Sequence, residues 1–471
     1  MTTFRARLLG SFVALLLAIV TGPVTATAGP LIGTVGPAWF GTTSNTNLDL
    51  NIPINSGSAG ARVVGEQLFV TDQNGLTVYD VSDPSLPVPK GFVSIPQQYY
   101  FTEEDVPSNG EIALVGQFGD LTPSIRLNVV DVSLDDNLGG QPTVIGTLSG
   151  MDEHTFECAR DCTWAYGSAG AIIDLTDPTA PRDAGRWDDA VEAQGYSFGR
   201  STHDVTEVVP GILLTSSNPM FLLDVRTTPE APEVIGVGSF TDNRFVHANL
   251  WPYHGDLPAN PADPNVEGWE PDWDAFDRFV LVGGETAPLP FACDEGDGAF
   301  MTMEWERVDT DTVPDGNADF VEMTFDPTNG AGDEYKPSPG TFVDGGSPYS
   351  QYCTHWFTTQ PGGFHDGGLL AMGWYEYGVR FLEVEDDGQI TETGWLIPAG
   401  GSTSAAYWVD DDTVLTADYQ RGVDVITYDD EVDPDGTEMV TVPGVRFERA
   451  IIQRPAFLED WYTGFGCPLP S

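Results

Sequence analysis

The chain has 471 residues, with 72 acidic against 19 basic side chains and a formal net charge of −53. So acidic a surface lacks the cationic patch that nucleic acid or anionic lipid requires, which excludes both as partners. A hydrophobic share of 41% and an aromatic share of 11% exclude a disordered chain, and 53 Gly with 36 Pro point to many turns and few long helices. The acidity itself reads as adaptation of the surface to a salty medium, in preference to a cation-attracting function.

The first 28 residues carry Arg5 and Arg7, an apolar run from Leu8 to Val20, and Ala26-Thr27-Ala28, the small-x-small pattern cut by signal peptidase. They are expected to be a signal peptide. No later stretch reaches the ~20 apolar residues that a membrane span needs. The C-terminal WYTGFGCPLPS shows no hydrophobic tail. A secreted, extracytoplasmic monomer without a membrane span in the mature chain is the expectation.

From residue 59 onwards short alternating runs dominate: LFVTD, LTVYDVSD, IALVGQF, LNVVDVS, AIIDLTD, ILLTSS, FLLDV, FVLVGG, VRFLEV and VDVITYD. Such period-two runs predict an all-β chain. One unit keeps returning, in GLTVYDVSDPSLP (75–87), IRLNVVDVSLDD (125–136), GAIIDLTDPTAP (170–181) and MFLLDVRTTPEAP (220–232). The acids that end its hydrophobic run, Asp80, Asp131, Asp174 and Asp224, are spaced 51, 43 and 50 residues apart, and Gly378 and Gly422 are 44 apart. A period in the forties with several strands per repeat predicts a β-propeller, one four-stranded blade per repeat. The acid with its Ser/Thr-Asp-Pro continuation predicts a turn, since Asp and Ser bond the local backbone and Pro ends the strand.

These units resemble the LVIVD repeat of secreted and surface bacterial proteins, and HTFECARDCTWAYG with WYEYGVRFLEV is similar to its longer members. The resemblance runs from about residue 60 to 430 and implies a seven-bladed propeller outside the cytoplasm. It implies little about activity, because propellers carry many unrelated functions. The blades fall at about 59–96, 97–150, 151–192, 195–241, 244–351, 352–399 and 402–430. The fifth lacks the DVSDP turn and holds long acidic insertions, at about 255–275 and 284–351. The flanking segments 29–58 and 431–471 are then available to pack on the ring or complete its last blade and close it, which removes exposed strand edges.

Of the six histidines, four begin successive inner strands: His154 in HTFEC, His203 in HDVTEV, His247 in VHANLWP and His355 in THWFTT. Inner strands line the axial channel, so the four imidazoles are expected to converge there. An uncharged imidazole cluster suits Zn, Fe, Cu or Ni better than Ca or Mg, and a transition-metal site is expected; the alternative is that histidine bonds the neighbouring blade and holds the ring closed. Glu153, Asp204, Tyr100, Glu103 and Glu104 stand near the same rim, and His365 lies on a Gly-rich loop with two readings, a turn of the chain or a reach into the site. Carboxylates so placed orient imidazoles or act as bases. The sixth histidine, His254, reads as a surface residue.

The segment 309–320 spaces Asp309, Asp311, Asp315, Asn317 and Asp319 around Gly316. It is a weak calcium candidate that lacks a position-five oxygen ligand and the closing Glu of an EF-hand. Five cysteines in an exported chain predict two disulfides, Cys158 with Cys162 across a hairpin and Cys293 with Cys353 around the acidic insertion, leaving Cys467 over. No GxSxG, HExxH, GxxxxGK[ST] or CxxC motif is present in the mature chain. Three readings stay open: an extracellular scaffold that binds a protein, carbohydrate or small molecule through blade-five loops bearing Trp251, Trp269 and Trp273; a metal-dependent enzyme, foremost an oxidoreductase; and a purely structural surface protein.

Overall fold

The computed structural model describes residues 39–54, 57–58, 60–96, 104–118, 125–134, 140–151, 153–197, 202–240, 244–265, 268–285, 298–308, 320–337, 353–375, 377–398, 400–432 and 434, all within the compact unit Pro37–Ser471. The expected signal peptide and, of the 431–471 segment, residues 433 and 435–471 lie outside these residues. The alternating runs form short antiparallel strands in the order of the chain. The first sheet holds Gly60–Val64, Gln67–Asp72, Gly75–Asp80 and Val88–Ser94; the second, Ile112–Phe118, Ile125–Asp131 and Thr143–Met151. The third holds Phe156–Ala159, Trp164–Gly167, Ala171–Asp174 and Arg182–Arg186.

The fourth sheet has nine strands. One antiparallel set of four runs Asp204–Val209, Ile212–Ser216, Met220–Asp224 and Glu233–Ser239; another runs Val246–Leu250, Phe279–Gly284, Phe300–Val308 and Phe320–Thr324. A parallel pairing of Glu233–Ser239 with Phe320–Thr324 joins the two sets, and Glu334–Tyr335 adds to Phe300–Val308. Strands therefore occupy part of the 284–351 range and complete this sheet. The fifth sheet, Phe357–Thr359, Gly368–Gly373, Val379–Val384 and Ile390–Pro398, takes Trp39–Thr42 as a further strand. The sixth, Thr403–Trp408, Thr413–Asp418 and Gly422–Tyr428, takes Thr46–Pro53. The N-terminal segment thus pairs with the last strands of the chain.

The recurring acid makes the turn expected of it. Asp80 accepts from the Ser82 N–H (2.9 Å) and hydroxyl (2.6 Å), Asp131 likewise from Ser133 (3.0 and 2.7 Å), and Asp174 from Thr176 (2.9 and 2.6 Å). The scarce basic residues of this region answer three of these acids: Lys90 on Asp80, Arg182 on Asp174 and Arg226 on Asp224. One helix departs from the all-strand expectation, Trp187–Ala193. Its apolar residues Trp187 and Val191 stand four apart and are buried, with Asp188 and Asp189 in the first turn, where acids favour the helix dipole. The Trp187 indole donates to the Gly167 carbonyl at 2.8 Å, so the helix caps its own sheet.

Neighbouring sheets are stitched along their inner edges into a closed circuit. Ala61 bridges Asp105, the Thr155 hydroxyl donates to the His203 carbonyl (3.0 Å), and the Thr206 hydroxyl to the Asn249 carbonyl (3.3 Å). The Thr354 hydroxyl donates to the Gly284 carbonyl (2.7 Å), the Trp356 N–H to the Ser404 carbonyl (3.2 Å), and the Ser58 N–H to the Asp418 carbonyl (2.9 Å). Between sheets lie separate apolar layers, such as Leu48, Val379, Phe381, Leu396, Ala406, Val414 and Ile426 between the fifth and sixth. Leu48 reaches that layer from the N-terminal strand and is 2% exposed. Leu48→Ala should lower the free energy of unfolding by about 2–4 kcal/mol in urea denaturation, as removal of a core leucine does; an effect below about 0.5 kcal/mol would show that the N-terminal strand does not close the ring.

Candidate metal centre

All four inner-strand histidines come together, and each is positioned by backbone. The His203 N–H bonds the Ser216 carbonyl (2.9 Å) and the His355 N–H the Gly373 carbonyl (3.0 Å), extending their strands by a residue. His247 is the extra residue where the register between Val246–Leu250 and Phe279–Gly284 shifts, and such a bulge redirects a side chain. Successive imidazole centroids lie 4.8 Å (His154 to His203), 3.8 Å (His203 to His247) and 4.1 Å (His247 to His355) apart.

Glu104 completes the group. Its Oε2 lies 3.4 Å from His154 Nε2, 3.9 Å from His203 Nε2, 3.7 Å from His247 Nε2 and 3.4 Å from His355 Nε2. Its other oxygen accepts the Tyr419 hydroxyl at 3.0 Å. The Nδ1 atoms of His203 and His355 face the carbonyls of His247 (3.1 Å) and Ser404 (2.7 Å). A carbonyl only accepts, so both Nδ1 atoms carry hydrogen and the Nε2 lone pairs turn to the axis, the tautomer of a metal-ligating histidine. Glycine at 373 permits this approach, since a β-carbon there would stand 2.6 Å from the Ser404 oxygen.

The donor atoms are spaced for a single ion. Glu104 Oε2, both ring nitrogens of His247 and Nε2 of His355 are buried without a hydrogen bond, an arrangement costly to leave uncompensated. Donors on a tetrahedral ion with bonds of about 2.0–2.1 Å stand ~3.4 Å apart, close to the shorter separations here. Glu104, His203 and His247 alone present ligand atoms within 4.8 Å of one another. Burial drives the pKa of His203 well down, helped by the neighbouring imidazoles, and burial and His355 lower that of His247 to about 3. Against the same burial, Glu104 and then Glu285 hold the His355 pKa up, while His154 and His355 hold the Glu104 carboxyl well below its usual range.

Three contributors were not singled out in the sequence. Glu285, at the end of FVLVGGE, places Oε2 3.8 Å from His247 Nε2, and its other oxygen takes the Tyr375 hydroxyl at 2.5 Å. Tyr375 and Tyr419 stack at 6.1 Å. A strand-end acid and aromatics beside Gly are too common to flag these positions in advance.

The remaining rim candidates do other work. Glu153 accepts the Ala169 and Ala171 N–H groups; Asp204 accepts the Thr155 and Thr206 hydroxyls. His365 is not brought to the centre: its side chain is 73% exposed and stacks on His254 at 4.5 Å, because its loop folds outward against Asp277, which receives the Asp366 N–H. Tyr100, Glu103, the segment bearing Asp309, Asp311, Asp315, Asn317 and Asp319, and Cys293 lie outside the described residues. The Cys158–Cys162 disulfide is formed, and Cys353 is disulfide-bonded. Of the blade-five tryptophans, Trp251 is 1% exposed and packs on Phe276 and Trp305, while Trp269 and Trp273 are half-buried against the same cluster and the Trp269 indole donates to the Asp256 carbonyl.

A second charged layer lies next along the same inner strands. Arg62 donates to both oxygens of Asp105 and to Glu157 at 3.2 Å, linking the first three sheets. Glu207 accepts the Arg160 and Gly211 N–H groups at 2.7 Å each, and its own N–H bonds Glu157.

An all-β ring of radial sheets around an axial cluster of imidazoles and carboxylate is the class that fold and site define: a propeller-type scaffold. The LVIVD repeat model matches residues 58–94, the first sheet. Among solved structures it is similar to one described as the crystal structure of the WD40 β-propeller domain of Doa1, at 11% identity and a TM-score of 0.43, covering 82% of this chain and 99% of that one. No curated protein matches the chain.

Burial raises the Glu207 pKa to about 8 and, against Arg62, that of Glu157 to about 7. The folded state therefore retains protons that the unfolded chain releases near the ordinary glutamate pKa, so this contribution to stability is full below that value and disappears as pH rises through 7 to 8. The midpoint of urea unfolding should fall between pH 6 and 9, and Glu207→Gln, which keeps the acceptor oxygen, should flatten the decline. An unchanged slope in that variant would assign the pH dependence elsewhere.

Proposed function

We propose that the chain is an exported, seven-bladed LVIVD-type scaffold closed around one axial transition-metal centre. The blade count takes the nine-stranded sheet as two blades joined by their outer strands. The observation that carries the metal reading is Glu104 Oε2: a buried carboxylate oxygen without a hydrogen bond, faced by four imidazole Nε2 atoms at 3.4–3.9 Å. Four nitrogens and one carboxylate oxygen suit Zn, Fe, Cu or Ni, not Ca or Mg. The residues that would hold the ion are Glu104, His203 and His247, with His154 and His355 facing the same Glu104 oxygen at 3.4 Å and Tyr419 fixing which oxygen of Glu104 turns inward. Joining sheets two to five through one ion pins the inner ring, as suits a scaffold that presents its outer loops to a protein, carbohydrate or small-molecule partner.

A second reading, a metal-dependent oxidoreductase, draws support from the exposure of the cluster's edge. The His154 and Glu285 side chains are 16% and 13% exposed, whereas those of His247 and His355 are wholly buried. Purified mature protein should carry about one equivalent of a transition metal in elemental analysis, and the His203→Ala/His355→Ala double variant should lose it while keeping its β-sheet circular dichroism. Iron or copper would favour the enzyme, zinc the structural centre. A wild type that is metal-free and refuses Zn, Fe, Cu and Ni would remove both and leave the histidines a blade-locking role.

A further inference from the structure

Glu104 and Glu285 flank the imidazoles in different ways. Glu104 reaches all four Nε2 atoms within 4 Å; Glu285 lies 3.8 Å from His247 Nε2 and acts on His355 through its charge. Glu104 thus lies within a shell centred on the axis, and Glu285 just outside it. The sixth and first sheets begin their inner strands with Ser402, Thr403, Ser404 and Gly60, Ala61, which add no imidazole or carboxylate. Glu104, His203 and His247 alone among the described residues bring ligand atoms within 4.8 Å of one another, and three protein donors would leave a transition metal room for a further ligand.

Glu285 is held for a purpose its own strand does not explain. Tyr375, whose hydroxyl takes one of its oxygens, adopts a left-handed backbone with φ of 48°, costly for a bulky residue. Its backbone is kept there by reciprocal bonds with Thr403, at 2.9 and 2.8 Å. The second Glu285 oxygen, Oε2, is the one turned toward the imidazoles, and the Glu285 side chain is 13% exposed.

Resting on the axial-centre reading above, we propose that Glu285, positioned by Tyr375, binds the non-protein ligand of the ion: water or another small protic oxygen ligand. Such a ligand gives a lone pair to the metal and donates its O–H to Glu285 Oε2. An anion is disfavoured there, because it would face the carboxylates of both Glu104 and Glu285.

The test uses the mature protein loaded with Cu(II) and electron paramagnetic resonance in ¹⁷O-enriched water. The wild type should bind about one equivalent and show ¹⁷O broadening of its copper lines. Glu285→Leu and, as a milder change, Tyr375→Phe should still bind copper, with water occupancy reduced about tenfold in the first and measurably in the second, as loss of one charge-assisted hydrogen bond implies. Copper binding without ¹⁷O broadening in the wild type, or broadening unchanged in both variants, would overturn this proposal and leave the axial centre standing. Failure of the wild type to take up any metal would overturn the centre and the proposal together.

Discussion

Everything at the middle of this protein turns on one unpaired carboxylate oxygen. Glu104 Oε2 is buried, has no hydrogen bond, and faces four imidazoles. A low-dielectric interior makes such an atom expensive unless a proton or a cation answers it. Glu104 and His355 answer each other in part, each shifting the other's pKa toward its charged form. A metal answers all the donors at once, and the Nδ1 bonds of His203 and His355 have already turned their Nε2 atoms toward it.

That geometry depends on the ring. Each donor stands at or beside the start of an inner strand, and neighbouring strands are tied by side-chain to carbonyl bonds: Thr155 to His203, His203 to His247, His355 to Ser404. The bonds that seat the imidazoles are therefore also bonds between sheets. Blade-locking and metal ligation are two uses of one arrangement, the first made by Nδ1 and the second by Nε2. Next along the channel, Arg62 holds Asp105 and Glu157, so the wall under the centre is charged yet satisfied.

The elements outside the ring show how the same chain spends its polar residues differently. In the insertion after Leu250, the Trp251 and Trp305 indoles both donate to the Asp277 carbonyl, and the aromatic rings close over one another. Its aromatics extend the apolar cluster that lies among the strands of the fourth sheet. His254 and His365 stack there, which explains why two of six histidines are absent from the axis.

Periodicity alone determined the all-β class, the repeat and the turn acids, because alternation and Asp-Ser turns are local physics that each strand carries by itself. It also determined that His154, His203, His247 and His355 would meet, since equivalent positions of a repeat must converge on its axis. Glu104 was legible only as a rim acid: it fills the second blade's version of the histidine position, but its identity differs and its strand is reduced to a bridge at Asp105. Glu285 and Tyr375 were illegible, because the first ends a strand like many other acids and the second reaches the site through a left-handed backbone that no alternation pattern encodes. Which oxygen of Glu104 faces inward, which nitrogen of His203 and of His355 faces the axis, and that His365 turns outward were decided by tertiary structure alone. Those choices are made by hydrogen bonds between residues tens to hundreds of positions apart, such as Tyr419 to Glu104, and distance along a chain carries no record of them.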